Sequence, residues 1–157
     1  MRLFARAALA AMLAIPAAAL AGTVEVSFVD PASFTDAGNT RWDDDANLRM
    51  LQRHLQGLGR LLPDGQVLKV RVLDVDLAGA VRDIASGLRV LHGRADFPKV
   101  HLTYILETDG TVQSRGDEWV TDLDYTHHLR QRVAPEPLRY EKLMLDAWFK
   151  SHFVDGR

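Results

Sequence analysis

The chain has 157 residues, 47% of them hydrophobic and 25% charged, with a formal net charge of −2 and no cysteine. This balance suits a globular domain, and the lack of a basic stripe argues against nucleic acid or an anionic lipid surface as partner. Without cysteine there is no disulfide framework and no thiol nucleophile.

Arg2 and Arg6 precede an apolar run from Ala7 to Leu20, broken only by Pro16 and closing on Ala19-Leu20-Ala21. That layout predicts a secretory signal peptide, Met1 to Ala21, cleaved before Gly22. As a membrane anchor the run is short: about fourteen residues at a helical rise of about 1.5 Å span roughly 21 Å, against a hydrocarbon core of about 30 Å. Cleavage takes away 21 of the 157 residues and two arginines, leaving 136 residues with a net charge of −4. Residues 22–157 are expected to form a single soluble periplasmic domain. No second long apolar run follows, so no membrane span is expected after cleavage. Gly22 stands where a lipoprotein would need cysteine, which predicts no lipid anchor.

In chain order, Val24, Val26 and Phe28 alternate with Glu25 and Ser27, predicting a strand over Thr23–Asp30 that Pro31 stops. A polar loop runs to Asn39. Leu48, Leu51, Leu55, Leu58 and Leu62 then fall at spacings of 3, 4, 3 and 4, one stripe of a helix, with Thr40 as N-cap and Asp43 three residues on. Pro63-Asp64-Gly65 ends it. Gln66–Leu77 reads as a strand whose phase inverts: Leu68, Val70 and Val72 share a face, then Asp74 and Asp76 occupy it. A bulge near Val72 is the less costly explanation, since the alternative buries two unpaired carboxylates.

Ala78–Gly93 shows no strong period and reads as loop with at most a helical turn. Val100–Glu107 is a strand, and Asp109-Gly110 marks a hairpin to a return strand from Thr111 to about Leu123. A three-residue loop, Thr108–Gly110, sets Leu106 against Val112 and His101 against Asp117, and matching apolar residues favours it over a two-residue loop. Tyr125–Pro137 reads as a polar connection. The last helix, Leu138 to about Phe153, carries Tyr140, Leu143, Met144, Ala147 and Trp148 on one side. Pro137 suits its first turn. The order β-α-β-β-β-α predicts an α+β fold: a mostly antiparallel sheet of about four strands with two helices on one face. The first strand–helix–strand unit is a candidate parallel crossover.

The chemistry-bearing residues form no catalytic constellation. Asp43-Asp44-Asp45 falls in a helical first turn, where the dipole favours acids, and helix begins too early for a calcium loop. Asp74 with Asp76, and Asp122 with Asp124, form two Asp-X-Asp pairs near strand ends. Residues two apart on a strand share a face, so each pair could offer oxygens to a cation. Convergence of all four would crowd carboxylates and suit acid–base work; the competing reading is that aspartates gather where strands turn. The histidines show no His-X-His or His-X-X-X-His spacing, so no metal site is expected. No serine lies in a Gly-X-Ser-X-Gly elbow and no phosphate-binding glycine loop occurs, so no catalytic residue and no cofactor are assigned. Trp42, Trp119 and Trp148 are expected at the core or its edge.

Three stretches carry a resemblance: Val26 to Pro31 with Phe34-Thr35-Asp36, Leu73-Asp74-Val75-Asp76-Leu77-Ala78-Gly79, and Leu138 to Lys142 through Met144-Leu145-Asp146 to Trp148-Phe149. Together they resemble the exported bacterial family catalogued as domain of unknown function 3016, over essentially the whole mature chain. The resemblance implies a periplasmic protein of uncharacterised role and no catalytic residues. Ala80–Gly93 and Tyr125–Ala134 match less well, which points there for any ligand-specific part.

The leading expectation is a soluble periplasmic binding or protein-interaction module without catalysis, with Asp74, Asp76, Asp122 and Asp124 as binding residues and a periplasmic protein as a possible partner. The alternative is a small metal-assisted or acid–base hydrolase using those aspartates. A third reading is an envelope scaffold that pairs through the outer edge of its sheet.

Overall fold

The structure is a computed structural model that describes residues 21–83, 88–130 and 136–155. The expected leader, but for Ala21, lies outside the described residues. The expected α+β fold is found: a four-stranded sheet in the order β1-β2-β5-β6, two long helices, and a small two-stranded sheet, β3-β4. The strands are β1 (Thr23–Phe28), β2 (Gln66–Asp76), β3 (Ala80–Asp83), β4 (Leu88–Val90), β5 (Lys99–Thr108) and β6 (Thr111–Thr121), and the helices α1 (Arg41–Leu58) and α2 (Arg139–Phe153). β1 and β2 pair in parallel across the α1 crossover, while β2–β5 and β5–β6 are antiparallel.

Helix α1 starts where its sequence says. The Thr40 hydroxyl accepts from the Asp43 N–H at 3.2 Å and donates to Asp43 Oδ2 at 2.9 Å. Its leucine stripe, Leu48, Leu51, Leu55 and Leu58, is buried against Val24, Leu68, Val70 and Val72 of the sheet and against Met144, Leu145, Trp148, Phe149 and Phe153 of α2. Both helices thus cover one face, and each such side chain stabilises by roughly 1.5–3 kcal/mol. His54 Nε2 meets Asp146 Oδ1 at 2.8 Å, tying α1 to α2.

The phase inversion in β2 is a bulge: pairing with β5 jumps from Val72↔Leu102 to Asp74↔His101. The extra residue returns Val75 and Leu77 to the core and turns Asp74 and Asp76 away from it.

Four expectations are corrected. The β5–β6 loop has two residues, Asp109-Gly110, both with positive φ (49° and 75°). That is the twist a two-residue primed turn needs, and it sets Thr108↔Thr111 and Glu107↔Val112. A bulge follows, so Leu106 faces Ser114 and His101 faces Trp119. Turn geometry prevails over apolar matching. Second, Ala78–Gly93 contains β3 and β4 rather than only loop, with residues 84–87 outside the described set.

Third, the buried side of α2 is rotated from the expected one: Glu141, Met144, Leu145, Trp148, Phe149 and Phe153 are buried, whereas Ala147 is exposed. Fourth, Trp42 is 84% exposed and Trp119 51%, so of the three tryptophans only Trp148 is a core residue. Trp42 lies in the first turn of α1 off the leucine stripe, and Trp119 lies on the sheet face opposite α1 and α2.

Candidate functional site

The four aspartates named from the sequence are placed at strand ends and are tied there by protein donors. Asp74 Oδ1 accepts from the backbone N–H groups of Thr35 (2.7 Å) and Val75 (2.8 Å), and Oδ2 accepts from the Thr35 hydroxyl (2.7 Å). Asp76 pairs with Lys99 at 2.7 Å. Asp122 Oδ1 accepts from the Asp124 N–H at 3.0 Å, a local turn. Asp124 pairs with Arg94 at 2.7 Å. Strand β5 separates β2 from β6, and Lys99 stands opposite both Asp76 and Thr121. A cation is thereby set between the two strand ends. Among the described residues no group of three or more His, Asp or Glu is arranged to hold a metal ion.

The acid in the most unusual environment is Glu141. It sits in the first turn of α2, is 3% exposed, and accepts from the Ala78 N–H through Oε1 at 2.8 Å. Burial pushes its carboxyl above the ordinary range, partly offset by the Ala78 N–H, by its own backbone and by Arg89. Arg89, on β4, is the second component. Its Nη1 and Nη2 clasp both oxygens of Asp36 (3.3 and 2.6 Å), while Nε and Nη2 donate to the carbonyls of Ala78, Leu77 and Gly79. Asp36 is held by β-type bonds on both sides, its N–H to the Val75 carbonyl and its carbonyl to the Leu77 N–H.

Arg89 and Glu141 line a cleft of about 470 Å³ between the starts of α1 and α2 and the end of β2. Leu77, Leu91 and Leu138 give it apolar walls; Asp43, Arg89 and Glu141 give it charge. Leu138, the residue before α2, has φ 56°, a left-handed conformation that a leucine rarely adopts. Strain of that kind costs of order 1–3 kcal/mol and tends to collect at functional sites. Gly79 is left-handed too (φ 77°), and a Cβ there would come within 2.8 Å of the Val90 carbonyl, so β4 can approach closely enough for Arg89 to reach the three carbonyls.

Behind this wall Tyr125 is fully buried and donates to Asp96 Oδ1 at 2.7 Å, with its ring edge-on to Tyr140 at 5.0 Å. The connection read as merely polar therefore carries an anchor. Burial alone would raise the Asp96 carboxyl, but hydrogen bonds from Tyr125 and from the ring and N–H of His92 bring it below the ordinary range.

Sequence reasoning passed over Glu141 and Arg89. The signal for Glu141 was present: counting back from Phe149 and Leu145 by four places it on the buried stripe, an acid where an apolar residue belongs. Arg89 has no such signal, since a short hairpin without periodicity shows nothing of where its arginines point.

The sequence profile of the family described as "Protein of unknown function (DUF3016)" matches residues 22–151. No curated protein and no solved structure matches the chain. With 22–151 spanning the whole sheet and nearly all of α2, this chain belongs to the DUF3016 family.

Proposed function

We propose that the chain is an exported binding module of the cell envelope that holds a small ligand in the Glu141 cleft and does no chemistry on it. The observation that carries this reading is a buried carboxyl in the wall of an open, largely apolar cleft, where a carboxyl is costly unless something uses it. Arg89 is committed to Asp36 and three carbonyls, which makes it part of the frame. Three acids line the cleft, Glu141, Asp43 and Glu136, the last also paired with Lys142 at 2.7 Å, while the other lining cation, Arg139, lies over the Tyr140 ring. A molecule with an amine or amide donor on a compact apolar body fits that lining. Export is supported by the charged start, apolar run and small-residue close of Met1–Ala21.

Thermal unfolding in the presence of agmatine, putrescine or free arginine tests the reading, with glucose as a donor-rich but uncharged contrast. Binding to the folded state raises the midpoint by mass action. The expected result is a rise with at least one amine that Glu141→Gln removes, although Gln keeps an acceptor for the Ala78 N–H. If none of the three amines shifts the midpoint, Glu141 is a structural cap on the end of β2 and the reading fails.

A further inference from the structure

We infer that β6 is a self-pairing edge, and that two copies of this chain join their sheets through it in antiparallel fashion about Gly116. β6 is the last strand of the sheet and, with Thr111–Thr121, one of its two longest, whereas the opposite edge, β1, has six residues. It contains neither proline nor lysine; its bulge at Gln113 leaves residues 114–121 as the regular stretch, and its Val112 and Trp119 are more than half exposed.

The strand's own sequence selects the register. A two-fold axis perpendicular to the sheet places residues of like face opposite one another, so the axis must pass through a residue. Centred on Arg115 it sets arginine against arginine; centred on Asp117 it sets carboxylate against carboxylate. Centred on Gly116 it sets Arg115 against Asp117 of the second copy and Asp117 against Arg115, two opposite-charge pairs on the face opposite α1 and α2. Ser114 then faces Glu118 on the helix side.

The position on the axis is the one without a side chain, and the space a Gly116 Cβ would take is occupied by the Tyr104 ring of the same chain. Both charged residues are exposed. Asp117 accepts from His101 at 2.7 Å and keeps 65% of its side chain open, so it can take a second donor. The edge shares no lining residue with the Glu141 cleft, and this inference stands or falls independently of ligand binding.

Analytical ultracentrifugation of the protein recovered from cells expressing the full chain tests it. The parent should sediment as a concentration-dependent dimer. Arg115→Asp places two acids against two acids and should weaken the dimer by tenfold or more. The charge swap Arg115→Asp with Asp117→Arg should restore it, which a merely misfolded variant cannot do. A parent that stays monomeric at high concentration, a dimer that Arg115→Asp leaves intact, or a swap that fails to restore pairing overturns the proposal.

Discussion

The acids at the ends of β2 and β6 and the buried acid of α2, Glu141, are opposites. Asp74, Asp76, Asp122 and Asp124 come in conspicuous pairs, yet each is partly or fully open to solvent and each has a donor or a cation beside it. Glu141 stands alone in its stretch of sequence, is almost wholly buried, and lines a cleft. Clustered acids at strand ends are what turn chemistry and solvent produce without cost. A lone acid on a buried stripe has to be accommodated against a desolvation penalty. Chemical potential is thus better judged from the environment a fold imposes than from the density of acids in the chain.

The sharpest way to break this contrast is to remove the frame around Glu141. Arg89→Met takes the donors from Asp36 and from the carbonyls of Leu77, Ala78 and Gly79, and should cost about 3 kcal/mol in denaturant unfolding. A loss below about 1 kcal/mol would mean the hairpin is not anchored through Arg89. Next in size is Asp74→Asn. A metal-site or acid–base role predicts an unchanged melting temperature, but Asp74 accepts three short hydrogen bonds that fasten Thr35 to β2. Replacing one acceptor oxygen with a donor should cost about 1–2 kcal/mol.

The two mutations also mark how far the sequence could be read. The leucine stripe of α1, its Thr40 cap and the bulge after Val72 were legible because each is a local rule: periodicity, spacing, and the penalty for burying carboxylates. The β5–β6 register was not, because the preference of Asp109-Gly110 for a two-residue primed turn competes with apolar matching and wins. The site was illegible for a further reason. Asp36, Ala78, Arg89 and Glu141 lie on four different segments and meet only after β1, β2 and the β3–β4 hairpin are assembled. Glu141 alone was recoverable, from its place on the α2 stripe.

A smaller effect sharpens the comparison by its sign. The folded state raises the Glu141 carboxyl through burial, so between about pH 4.5, where an unfolded glutamate titrates, and its raised value the folded protein keeps a proton the unfolded chain has lost. Stability therefore falls as pH rises through that window. Glu141→Gln has no proton to lose and should melt above the parent at neutral pH, with the gap closing below about pH 4. Asp96 behaves oppositely: its carboxyl is lowered, so its contribution is present above the ordinary aspartate range and lost as pH falls through the folded value. Asp96→Asn should melt below the parent at neutral pH and converge with it in acid. Equal pH profiles for the parent and Glu141→Gln would mean that the Ala78 N–H, the backbone of Glu141 and Arg89 together offset the burial.

The smallest expected effect concerns the second aspartate pair. Asp124 keeps 56% of its side chain open and Arg94 keeps 74%, so their 2.7 Å contact is a solvated ion pair that salt screens. Asp122 closes a turn with the N–H of Asp124, a bond that asparagine reproduces through its own side-chain carbonyl. Asp122→Asn and Asp124→Asn should leave the melting midpoint where it was, and calcium, magnesium, manganese and zinc should not move it in the parent. A rise with one of these ions would be decisive in the other direction if Asp74→Asn, Asp76→Asn and Asp124→Asn each abolished it. The strand ends would then have to close around the ion by displacing Lys99 from Asp76, and the paired aspartates would replace Glu141 as the site where this fold does its work.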